Sequence, residues 1–138
     1  MFEQYSLTLI ALALMLFTMF MQSTIAMVAH RKQSHYVPGV VDENLGHDSF
    51  VFRSHRTFLN SLENVPLMAL TILTSMFVGM TPTSLAAFTW VFVIARLLHM
   101  VLYYAIATEK NPSPRSYFFA IGFFANFGLL INLGLTLI

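Results

Sequence analysis

Three short runs in this chain of 138 residues carry side chains that could do chemistry. The first is Arg53–Pro66, RSHRTFLNSLENVP, in which Arg53, Arg56, Asn60 and Glu63 advance by three, four and three and so share one helix face. The second is Arg96, His99 and Tyr103, spaced three and four apart and again on one face. The third is Arg115-Ser116, behind Pro112-Ser113-Pro114 at a helix start, where the helix dipole favours an anion, a thiolate included. Several cations, one carboxylate, one amide, a hydroxyl and a phenol suit a small zwitterion with more than one carboxylate. Arginines clamp carboxylates bidentately, Glu63 can take an ammonium group and Asn60 can fix orientation. Apolar walls rich in Phe and Met could admit a lipophilic second substrate from the bilayer.

The composition says what must position these groups. The chain is 57% hydrophobic and only 9% charged, where soluble domains carry roughly one-quarter charged residues. Lipid is the solvent that such a surface fits. A formal charge of +1 leaves too few basic groups to track a phosphate backbone, so no nucleic-acid partner is expected. The lack of cysteine removes disulfides, thiolate metal sites and a Cys nucleophile. His35, His47 and His55 stand at no metal-ligand spacing and read as solvated loop imidazoles, so no metal is expected.

The pattern predicts an all-α protein, one domain over 1–138, with four transmembrane helices at about 5–29, 57–79, 84–108 and 116–138. Tyr5–Ala29 carries no charge, and its acidic leader and long apolar run differ from a cleaved signal peptide. A polar loop is expected over 30–55. The charge-free Val65–Gly79 is too short to span, so the second helix must start near Thr57, drawing Asn60, Glu63 and Asn64 to membrane depth. Pro66 should kink or loosen it. Gly122, Gly128 and Gly134 are expected to let neighbours approach the fourth helix, and Asn126 and Asn132 to bond between helices. Basic residues fall in the first and third loops and none in the second. That pattern puts loops one and three in the cytoplasm and both termini outside, and the short loops suit a bacterial inner-membrane protein.

The turn near 79–84 serves as a depth ruler. Glu63 lies 16 residues before Gly79 and His99 lies 15 residues after Ser84, each roughly 23 Å away at 1.5 Å per residue. Arg56, Asn60, Glu63, His99, Tyr103, Arg115 and Ser116 are thereby expected in one layer on the cytoplasmic side. The plainer reading of the same residues is a structural ion pair of Glu63 with Arg96 or His99, bracing helices two and three.

R-x-x-R-x-x-x-N-x-x-E-N-x-P opening the second helix, A-R-x-x-H-x-x-x-Y in the third and P-x-P-R-S opening the fourth resemble the MAPEG family, which includes the microsomal glutathione transferases. The resemblance covers essentially the whole chain. It implies a homotrimer of four-helix subunits binding glutathione in the cytoplasmic half at each subunit interface, with membrane lipid around it. Carried over, Arg56, Asn60 and Glu63 would hold the peptide and His99 and Tyr103 would line the pocket. Arg115 would stabilise the thiolate, Ser116 would donate to the sulfur, and Arg31 or Lys32 would reach a neighbour's pocket. Leu59 and Phe119 stand where the prostaglandin-synthase branch has an arginine and a tyrosine. The implied activity is therefore general glutathione transfer to lipophilic electrophiles, with glutathione peroxidase activity a further expectation. The alternative is a non-enzymatic lipid-binding or scaffold member of the same fold.

Overall fold

A computed structural model describes residues 3–138, which form four α-helices: α1 (Ser6–Arg31), α2 (Phe50–Phe77), α3 (Pro82–Ala105) and α4 (Pro114–Thr136). By length and composition α1, α3 and α4 are each apolar enough to cross a membrane. The outer faces agree with lipid as solvent: Phe20, Phe77 and Leu135 are 66%, 78% and 70% exposed. Helix α3 is central. It packs against α1, α2 and α4, as α2 does against α1, α3 and α4, whereas α1 and α4 do not pack on each other.

Helix α2 differs most from expectation. It starts at Phe50, not near Thr57, behind Ser49 as N-cap. Its 28 residues make it about 42 Å long, some 12 Å more than a hydrocarbon core of about 30 Å. By composition α2 is not among the helices apolar enough to cross; its first two turns carry Arg53, His55 and Arg56, and the expectation of a fourth span rests on its length. The 30–55 loop shrinks accordingly to residues 32–49. Pro66 does not break the helix, which runs through it. The buried stripe of α2 is polar at one end (Ser54, Thr57, Ser61) and mixed at the other, where Met68, Ile72 and Met76 are interleaved with Thr71 and Ser75. Thr57 and Ser75 donate to the carbonyls four residues back, both at 2.8 Å, so these hydroxyls are satisfied within their own helix.

A Schellman turn ends α2. Gly79, at φ +76°, donates to Met76 at 3.2 Å, and the Met80 N–H donates to the Ser75 carbonyl at 2.9 Å. Pro82 then starts α3 at its first turn. Met80 is buried, and its carbonyl accepts the Tyr5 hydroxyl at 2.7 Å, tying the start of α1 to this turn. At the opposite end α3 stops at Ala105, three residues earlier than expected, and α4 begins at Pro114, two earlier. Ile106 is already extended, and Pro112 and Pro114 favour extended residues before them.

The glycines of α4 divide. A Cβ at Gly122 would stand 3.5 Å from Cδ of Arg96, and one at Gly128 would stand 2.8 Å from the Phe88 ring; at Gly134 it would meet nothing. The first two bring α4 close to α3, and Gly134 does not. Asn132 bonds Ser84 across helices at 3.1 Å, while the buried Oδ1 of Asn126 has no partner among the described residues. Gly122→Leu is expected to destabilise the protein in detergent by about 1–3 kcal/mol through overpacking. Gly134→Ala should instead be neutral or gain up to about 1 kcal/mol. Thermal unfolding followed by circular dichroism checks the contrast, and equal effects at both sites would remove the packing role of Gly122.

Candidate functional site

Where α3 ends and α4 begins, a cluster forms around Tyr103. The guanidinium of Arg115 lies over the Tyr103 ring at 4.2 Å from its centroid. Its Nη2 donates to the Thr108 carbonyl at 2.9 Å, so the short loop that ends α3 also fixes the arginine of α4. Its Nη1 is buried and has no hydrogen-bond partner among the described residues. A guanidinium gripped on one side with a buried donor left over on the other is poised for an anion. His99, 3% exposed, meets Tyr103 edge-on at 5.5 Å and Phe119 at 6.3 Å, one helical turn deeper.

Ser116 is committed differently from the expectation. Its Oγ accepts the Ser113 backbone N–H at 3.1 Å and lies 3.2 Å from the Ser113 hydroxyl, forming the return half of a capping box. The residue secures the first turn of α4, and with it the position of Arg115.

His47 is the residue that sequence reasoning missed. Its loop position predicts a solvated imidazole, yet it is half-buried, with Nε2 3.2 Å from the Tyr103 hydroxyl and its ring stacked on Tyr103 at 5.9 Å. Arg53 builds this contact. Its Nη1 donates to the carbonyls of His47 at 2.6 Å and Asp48 at 2.9 Å, and its Nη2 to that of Tyr104 at 3.4 Å, pinning the loop across the ends of α2 and α3. Burial first, then the positive charges of Arg115, Arg56 and Arg53, hold His47 below the usual imidazole range against an opposing pull from Glu109. At neutral pH its ring is therefore uncharged and can accept the Tyr103 proton. The one available signal was the Ser49 N-cap, which would have placed His47 immediately before α2.

Of the other expected site residues, Arg56 and Asn60 are half-buried on α2, and the Oδ1 of Asn60 is buried without a partner among the described residues. Glu63 is exposed. Arg96, 4% exposed, donates to Ser61 Oγ at 3.2 Å, and its stem packs on Gly122; no Glu63–Arg96 salt bridge is formed among the described residues, although Glu63 lies near enough to act on the guanidinium through its charge. The positive charges of Arg56 on α2 and Arg115 on α4 both act on His47. Arg31 and Lys32 are exposed at the end of α1. Arg31 lines a separate cavity with His55 and Phe58.

Fold and cluster define an all-helical membrane protein with arginine, histidine and tyrosine gathered where α3 passes into α4. The family model that matches the chain is that of the MAPEG family, over residues 7–135, and the protein belongs to this family. Neither the curated proteins nor the solved structures provide a match. The family includes glutathione transferases and related proteins.

Proposed function

We propose that the protein is a membrane-embedded glutathione transferase that presents a glutathione thiolate to lipophilic electrophiles. The observation that carries this reading is the Arg115 guanidinium, held by Tyr103 and Thr108 with a buried donor unspent. A thiolate beside that donor and the N-terminus of α4 is stabilised over the thiol. The Ser116 hydroxyl, its oxygen already accepting the Ser113 N–H, has its proton free for the sulfur when the Ser113 hydroxyl is the donor between the two side chains. Arg56 takes a glutathione carboxylate, Glu63 the ammonium group, and the spare Oδ1 of Asn60 a peptide N–H. His99 and Tyr103 form the wall nearest the sulfur. With a chlorodinitrobenzene the thiolate attacks the chlorine-bearing carbon, a carbon–sulfur bond forms and chloride leaves. Hydroperoxides are the second class of acceptor in this reading.

Exposure of Glu63 favours a site completed by another subunit, as in a homotrimer with the layer at each interface. Of the two basic residues after α1, Lys32 is the one free to reach the second glutathione carboxylate from a neighbouring copy, since Arg31 lines a separate cavity. The distribution of basic residues supports a layer on the cytoplasmic side with both termini outside, and the short loops suit a bacterial inner membrane. Calorimetry of glutathione with the detergent-purified protein, paired with turnover of 1-chloro-2,4-dinitrobenzene, tests the proposal. Saturable binding with conjugate formation is expected. Protein that neither binds nor conjugates would be a lipid-binding or scaffold member of the family.

A further inference from the structure

A cavity of about 310 Å³ lies between the last turns of α1, the 36–41 bend of the first loop and the start of α2. Helix α2 contributes Val51, His55 and Phe58, one face at intervals of four and three. At 100° per residue that face is roughly 150° around the helix from Arg56, Asn60 and Glu63, so this space is separate from the site above.

Its walls are mostly apolar, with Ala26, Met27, Val51 and Phe58 among them; Arg31 is its one standing charge, His30 and His55 are imidazoles, and no carboxylate lines it. His30 is already engaged. Its Nε2 bonds the Val37 carbonyl at 2.9 Å, and its Nδ1 faces Gln33 Nε2 at 3.3 Å, so the ring ties the bend to α1. Gly39, at φ +77°, closes that bend where a side chain would be strained. Arg31 and the half-buried His55 are left to meet a ligand.

Depth and charge together identify the occupant. The charge-free run of α1 ends at Ala29 and His30-Arg31-Lys32 follows, which is headgroup level. On α1, Met27 and its neighbour Val28 are 48% and 42% exposed, so the apolar wall continues into the lipid-facing surface. We propose that this cavity binds one anionic phospholipid per subunit, with Arg31 and His55 meeting the phosphate and Met27 and Phe58 the first methylenes of an acyl chain. A choline headgroup finds no carboxylate there, so a lipid with net negative charge is preferred.

Native mass spectrometry of the detergent-purified protein tests the site by titration with dioleoyl phosphatidylglycerol, dioleoyl phosphatidylcholine and glycerol 3-phosphate. One phosphatidylglycerol per subunit is expected, with phosphatidylcholine at least tenfold weaker and no adduct from glycerol 3-phosphate at equal concentration. The double variant Arg31→Gln/His55→Gln should weaken phosphatidylglycerol about tenfold. Ala26→Phe, which fills the space and leaves the charges in place, should remove the adduct, and it decides the matter if the double variant does not fold. Wild-type affinity in the folded variants, equal binding of the two lipids, or no adduct at all overturns the proposal. Glycerol 3-phosphate binding as tightly as the lipid overturns it in favour of a soluble phosphate ligand. Glutathione takes no part in the readout, so the result stands apart from the proposed activity.

Discussion

Replacing Arg115 with alanine is expected to leave the bundle folded and to abolish the thiolate ultraviolet band that develops when glutathione binds. A cysteine-like thiol near pKa 8.5 is only about 3% ionised at pH 7, and lowering it by about two units makes it roughly three-quarters ionised. Loss of the guanidinium should therefore cost about twentyfold in thiolate and a comparable factor in conjugation rate at pH 7. The fold should tolerate the change, because the contacts of Arg115 are to a loop carbonyl and a ring face, and the first turn of α4 is capped by Ser113 and Ser116. Arg115→Lys separates charge from geometry: it keeps the cation but loses the planar fork. It should recover only part of the band. An undiminished band in Arg115→Ala would take the residue out of the chemistry.

The second large effect is expected at Glu63. If its carboxylate meets the glutathione ammonium group, Glu63→Gln forfeits a charge-assisted bond of about 1.5–3 kcal/mol, or roughly a ten- to 150-fold loss of affinity. Stability should change little, because Glu63 is exposed and the nearby cation Arg96 bonds Ser61. Calorimetry and thermal unfolding on the same sample separate ligand site from brace. Unchanged affinity with a melting point lowered by several degrees would return the residue to the scaffold.

Much of this architecture could be read from local patterns. The charge-free run of α1 marked a span, the Gly79–Pro82 stretch marked the turn, and the three-and-four spacing of Arg96, His99 and Tyr103 marked a face that is indeed buried. The start of α2 was less legible because apolar length was used to place it. A helix that projects beyond the hydrocarbon core has a polar first segment that hydropathy assigns to a loop. His47 was missed for a related reason: its contact with Tyr103 spans 56 residues and depends on Arg53 folding a loop back, which no periodicity encodes. Gly134 shows the converse error. A regular glycine series suggested close packing at a position whose own face meets open space, although Leu133 beside it is buried and Asn132 reaches Ser84.

The bond from the Tyr5 hydroxyl to the Met80 carbonyl joins groups 75 residues apart. During synthesis this clasp can fasten only after the head of α3 has left the ribosome, so the leading helix must enter the bilayer unsecured.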